Sequence, residues 1–157
     1  MKKTLAMAVL AAASAALGVE AVAQTNPNQL IAQRKGAMNL QVKYAGPLFA
    51  MARGAAPFDA KVAQRNADYL LVLSQLPWDD FQPSTAGNPN TRTKESAYID
   101  DKFKQLAETL QSDVKKFAAA ARAGDEAAAK TAARAMGKTC NTCHENFATF
   151  EFRFRVE

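Results

Sequence analysis

The chain has 157 residues, with 20 Lys and Arg against 15 Asp and Glu, two cysteines and one histidine. At 48% hydrophobic and 22% charged it has the composition of a folding chain, not a disordered one. One His and two Cys fall short of a closed four-ligand zinc site, and any Ser- or Cys-based hydrolytic triad would have to use His144 as its imidazole.

The N-terminus reads as a leader. Lys2 and Lys3 precede an apolar run from Leu5 to Val19, which ends at the small-x-small pattern Ala21-Val22-Ala23. The run is short for a bilayer span, which disfavours a retained anchor. Residues 1–23 are therefore expected to be a cleaved signal peptide and residues 24–157 a single mature domain, with no membrane span after processing. Cleavage removes Lys2, Lys3 and Glu20 and leaves a net charge of +4, too modest and scattered for a nucleic-acid partner. Export places the chain in the periplasm and its cysteines in an oxidising compartment.

Four helices are expected in the mature chain, near 28–53, 59–76, 94–123 and 125–150. The first offers Ile31, Met38, Val42, Ala45 and Phe49 on its apolar face, with a kink expected at Pro47. The second follows Pro57, is capped by Asp59 and ends in the dense run Leu70 to Leu76, whose facing the pattern leaves open. Residues 77–93, rich in Pro, Asn, Thr and Gly, form a long loop across one end. The third helix carries the stripe Ile99, Phe103, Leu106, Leu110, Val114 and Phe117. Gly124-Asp125 then reads as a helix stop followed at once by a helix start. The fourth carries Ala129, Ala132, Met136, Cys140, Cys143, Phe147 and Phe150. The fold class that follows is all-α, an up-down-up-down four-helix bundle.

Chemistry gathers in Cys140-Asn141-Thr142-Cys143-His144. On a helix the two thiols and the imidazole project from one face, here the apolar face turned to the bundle interior. This spacing suits one covalent haem c, with thioether bonds at Cys140 and Cys143 and His144 as proximal axial ligand of the iron. Three other readings compete. A redox dithiol needs a helix N-terminus after a strand, and this pair lies deep in a helix. A disulfide across these positions would strain the helix and close only a tiny loop. A zinc site lacks its fourth ligand.

The chain resembles the class II c-type cytochromes, the cytochromes c′ among them. The likeness rests on the C-terminal haem motif, Arg34 and Met38 in the first helix, the junction Gly54-Ala55-Ala56-Pro57-Phe58-Asp59, and Leu76-Pro77-Trp78 closing the second. It covers nearly the whole mature chain. It implies a haem protein, frequent homodimers, and either electron transfer with a redox partner protein or binding of a small gas such as nitric oxide; neither makes the chain an enzyme. Two features depart from the family. Ala148 stands where members usually carry Arg or Lys, and the tail Phe150-Glu151-Phe152-Arg153-Phe154-Arg155-Val156 alternates apolar and charged residues. The tail reads as a local cover for the haem edge or bundle end, with a contact to a second subunit or partner as the sharper alternative.

Two further residues bear on the site. Arg34, one turn before Met38, is a candidate partner for a haem propionate or else a solvated helix charge. Met38 is the candidate sixth ligand. Antiparallel packing sets it level with His144, whereas Met51 lies about 20 Å further along the helix and Met136 shares the haem-bearing helix. By resemblance this position faces the iron, ligating in some members and leaving an open apolar site in others. Trp78, Tyr69 and Tyr98 read as packing residues.

Overall fold

Helix caps decide where each segment of this chain turns helical. The computed structural model describes residues 26–156. It contains helices α1 (Pro27–Ala52), α2 (Ala60–Leu73), α3 (Asp101–Ala123) and α4 (Glu126–Phe147). The expected leader, residues 1–23, lies outside the described residues. Asn26, Asp59, Asp100 and Asp125 each accept from backbone amides one to three residues into the helix they start.

Three boundaries differ from the periodicity. The third helix begins at Asp101 instead of 94, because the Asp100 carboxylate takes the Lys102 amide while Glu95–Tyr98 closes a separate 3-10 turn. Ile99, expected to open the apolar stripe, is consequently 87% exposed. The second helix stops at Leu73, since Pro77 lacks an amide and disfavours helical backbone at Leu76. The fourth stops at Phe147. There the Lys94 amide takes the Phe147 carbonyl, the Thr149 amide donates to Arg92, and Ala148 pairs with Thr93 as an isolated bridge. Pro47, by contrast, does not interrupt α1, which continues to Ala52.

α1 packs on α2 and α4, and α3 packs on α2 and most extensively on α4. This closes an up-down-up-down ring, with the α3–α4 connection reduced to Gly124-Asp125. Gly124 adopts φ 72°, the left-handed conformation that ends α3 and returns the chain. One end of the bundle is densely filled. Phe49, Leu70, Val114, Phe117 and Met136 interlock there with Ala63, Ala118, Ala129 and Ala133, whose small side chains let the helices approach closely. At the other end, the N-terminal half of α1 and the C-terminal half of α4 enclose space that side chains leave unfilled. No described helix is long and apolar enough to cross a membrane.

Replacing Gly124 with Ala should destabilise the protein by about 1 kcal/mol, because a Cβ is strained at this positive φ. Asn at the same site should recover part of that loss. Denaturant unfolding of the two variants beside the parent checks both the sign and the order.

Candidate haem-binding site

The unfilled space is a cavity of about 420 Å³. α4 lines it with Cys143, His144 and Phe147; α1 contributes Ile31, Arg34, Met38 and Val42; the loop adds Phe81 and Thr91–Thr93. A smaller cavity of about 50 Å³ lies deeper, bordered by Cys140, Cys143, His144 and Met38 together with Leu70, Leu110 and Val114. The structure thus brings both thiols, the imidazole and the Met38 thioether to adjoining walls of one crevice. Met51 faces a different part of the bundle, and Met136 stands on the same helix as the thiols.

Burial sets the protonation of these groups. It pushes the Cys140 thiol up to about 12, with Cys143 adding to the rise, and the Cys143 thiol up to about 11. Both cysteines are free thiols, and burial holds them protonated at neutral pH. That is the opposite of a redox dithiol, which depends on a depressed thiol pKa. Burial lowers the His144 pKa, so the ring is neutral and retains a lone pair for a metal. Its Nδ1 is buried without any hydrogen-bond partner, the mark of a site whose protein contacts alone are incomplete. Among the described residues no group of three or more His, Cys, Asp and Glu could hold a bare metal ion. Two neutral thiols and a neutral imidazole on an apolar crevice suit a prosthetic group that brings its own equatorial ligands, and haem fits that description.

Comparison with known proteins agrees. Residues 29–148 match the family model described as Cytochrome C′. The chain belongs to the cytochrome c′ family. Over 122 residues it is 38% identical to cytochrome c′ of Rubrivivax gelatinosus, covering 77% of this chain and 95% of that one. The crystal structure of that relative superposes with a TM-score of 0.74 at 37% identity, covering 79% of this chain and 98% of the other. A nitric oxide complex of a mutant cytochrome c prime from Alcaligenes xylosoxidans gives a TM-score of 0.74 at 29% identity, with coverage of 82% and 99%. The cofactor of this family is one covalent haem c.

Arg34 is not a solvated helix charge, the alternative to propionate pairing that the sequence left open. It is 3% exposed and organises the loop of this cytochrome c′. Its Nη1 donates to the Asp80 carbonyl at 2.8 Å and to Thr85 Oγ1 at 2.7 Å. Its Nη2 donates to Thr91 Oγ1 at 2.6 Å and to the Tyr98 hydroxyl at 3.1 Å. The guanidinium also lies over the Phe81 ring, 4.5 Å from its centroid. All four terminal N–H groups are thereby used. Tyr98, read from the sequence as packing, is a polar member of this network, since its hydroxyl also lies 3.0 Å from Thr85 Oγ1.

Sequence reading missed two cations that line the same cavity. Lys35 donates to the Asn90 carbonyl at 2.9 Å, and the Arg92 guanidinium lies over Phe150. Arg92 sits in a loop with no periodic pattern, so only the folded chain brings it to the crevice. Lys94 Nζ donates to the Glu145 and Asn146 carbonyls and caps the end of α4 next to Ala148. The tail keeps its alternation. Phe152, Phe154 and Val156 turn inward and are half-buried, while Glu151, Arg153 and Arg155 stay exposed.

Changing Arg34 to Ala should cost on the order of 3 kcal/mol, because several buried acceptors lose a charged donor together. Lys should rescue little, since a single ammonium cannot reach acceptors spread around a planar fork. Chemical denaturation, with amide exchange across residues 79–98 as a local readout, checks both outcomes.

Proposed function

We propose that the chain is a periplasmic electron carrier of the cytochrome c′ class, with haem bonded to Cys140 and Cys143 and the iron held between His144 and Met38. Bound haem supplies an iron that cycles between ferric and ferrous states. The observation that carries the reading is that Met38 lines both cavities together with His144, from the helix facing it. The Gln41 side chain supports this placement. Its Nε2 is anchored on the Leu73 carbonyl at 3.0 Å and lies 3.9 Å from the Met38 sulfur, which restrains the thioether at the crevice wall.

The protein's part is to orient two neutral donors and exclude water from them. Apolar walls from Ile31, Val42, Phe81 and Phe103 keep the surroundings of low polarity. Such walls limit the solvent rearrangement that accompanies a change of charge at the iron. Arg34 is the proposed partner of a haem carboxylate. Residues 1–23 are the proposed export signal. Leu40 of α1, Val72 of α2 and Leu76 in the turn after α2 are exposed apolar side chains, and they support a homodimer.

The same apolar crevice favours a second reading, in which Met38 stands off the iron and a small gas takes the open position. The relative from Alcaligenes xylosoxidans is known in a nitric oxide complex. Absorption and electron paramagnetic resonance spectra of the ferric protein separate the two. The carrier reading expects a low-spin spectrum that becomes high-spin in Met38→Ala, with carbon monoxide then binding readily to the ferrous form. A parent protein that is already high-spin would transfer the assignment to gas binding.

The attachment itself predicts that haem stays with the polypeptide through acid–acetone extraction. Changing Cys140 and Cys143 together to Ser should release it. The mass of the extracted chain reports either outcome.

A further inference from the structure

Two charged side chains are buried among the described residues, Arg34 and Asp113. The loop accounts for Arg34, whose terminal N–H groups all find acceptors there. Asp113 has no such setting. It is 5% exposed and lies in the middle of α3, away from the unpaired amides of a helix start. Among the described residues, the one hydrogen bond its side chain accepts comes from the Thr139 hydroxyl, at 2.8 Å. That hydroxyl also lies 3.2 Å from the Ala135 carbonyl, but it has a single hydrogen, and a carboxylate is the stronger acceptor. The cation beside Asp113 is Lys116, with Nζ at 3.7 Å and a side chain 70% exposed.

An amide at this position would accept the same hydrogen bond without the cost of burying a charge. What a carboxylate adds is the charge itself, so its surroundings decide what that charge acts on. Thr139 directly precedes Cys140 in α4 and borders the deeper cavity. So do Leu110 and Val114, which stand on either side of Asp113 in α3. Cys140, Cys143, His144 and Met38 border the same cavity. The carboxylate therefore stands behind the wall of the space on which both thiols and both candidate iron ligands converge. Leu70, Leu106 and Met136 complete walls that are mostly apolar, and such walls screen a charge weakly. Burial pushes the Cys140 thiol up to about 12, Cys143 adds to the rise, and the Asp113 charge contributes in the same direction. The field of Asp113 thus reaches an attachment sulfur.

We propose that Asp113 is a fixed negative charge that lowers the reduction potential of the haem iron and so favours its ferric state. The inference rests on the covalent haem of the proposed function, and not on the identity of the sixth ligand. Reduction passes one electron from a redox partner protein to the iron, makes and breaks no bond, and removes one positive charge from the centre. A buried anion stabilises the more positive, oxidised centre and therefore opposes that step. Lys116 offsets this only in part, because an exposed ammonium is screened by water and salt. Thr139 holds the carboxylate in place, which fixes the direction from which its field acts.

The test is redox potentiometry of the haem-bearing protein beside three variants. Asp113→Asn keeps an acceptor for Thr139 and removes the charge. It should raise the midpoint potential, so that the ferrous-to-ferric ratio at a fixed poise increases several-fold. Asp113→Ala removes the charge with different packing and should shift the potential in the same direction. Asp113→Glu keeps the charge and should return the ratio most of the way to the parent value. The shift in Asp113→Asn should persist from low to molar salt, since a buried charge is poorly screened. Denaturant unfolding of the same samples isolates a merely structural role: a residue that only ties α3 to α4 would change stability and leave the potential where it was. An unchanged or lowered potential in Asp113→Asn and Asp113→Ala, or a shift that salt abolishes, would overturn the proposal. Absorption spectra and acid–acetone extraction report separately on the reading beneath it. A high-spin parent defeats Met38 ligation and leaves the Asp113 comparison valid, whereas haem lost on extraction defeats the covalent site and this proposal with it.

Discussion

An antiparallel bundle of four helices must fill its interior, and in this one side chains pack one end closely while lining a cavity at the other. Small alanines on α3 and α4 draw the helices together around Phe49, Phe117 and Met136 in one buried cluster. The larger interior space lies at the other end, where α1 and α4 face each other across Met38 and His144. The division of labour follows from it. The packed end supplies rigidity, and the open end supplies a crevice whose walls cannot easily close. The functional residues sit where the helices are held apart.

The chemistry of the crevice depends on its dryness. Burial keeps the two thiols protonated and the imidazole neutral, so the site presents uncharged donors in place of an ionised cluster. Charge is kept at the rim. Arg34, Lys35 and Arg92 line the larger cavity from α1 and the loop, and the four Nη hydrogens of Arg34 go to acceptors that hold the loop against α1. A buried guanidinium without those acceptors would be strongly unfavourable, so loop and arginine require each other. The long connection from Pro77 to Asp100 is for this reason an ordered wall of the site.

The elements read from periodicity were mostly realised, because a stripe repeating every three to four residues has one stable use in a bundle. Where the reading of boundaries was off, a local polar contact had overruled the stripe. The Asp100 cap left Ile99 outside α3, and the bridge between Thr93 and Ala148 ended α4 before Phe150. The facing of α2 was undecided in its run of leucines; packing turned Leu70 inward and left Val72 and Leu76 exposed. Tyr98 could not have been placed from sequence either, since its partners Arg34 and Thr85 come from distant parts of the chain.

By itself the sequence determined the helical class, the haem motif and the level of Met38 along the bundle. Each of these depends on spacing within a helix or on the antiparallel order of neighbouring helices, and both are local or combinatorial properties. Only the tertiary structure decided which cations reach the crevice, what Arg34 binds, and where the aromatic tail lies. Those outcomes depend on contacts between residues far apart in the chain, such as Arg34 with Thr91 or Asn141 with Phe154. No periodicity encodes such pairs; they exist because four helices, once packed, leave one particular space to be lined and covered.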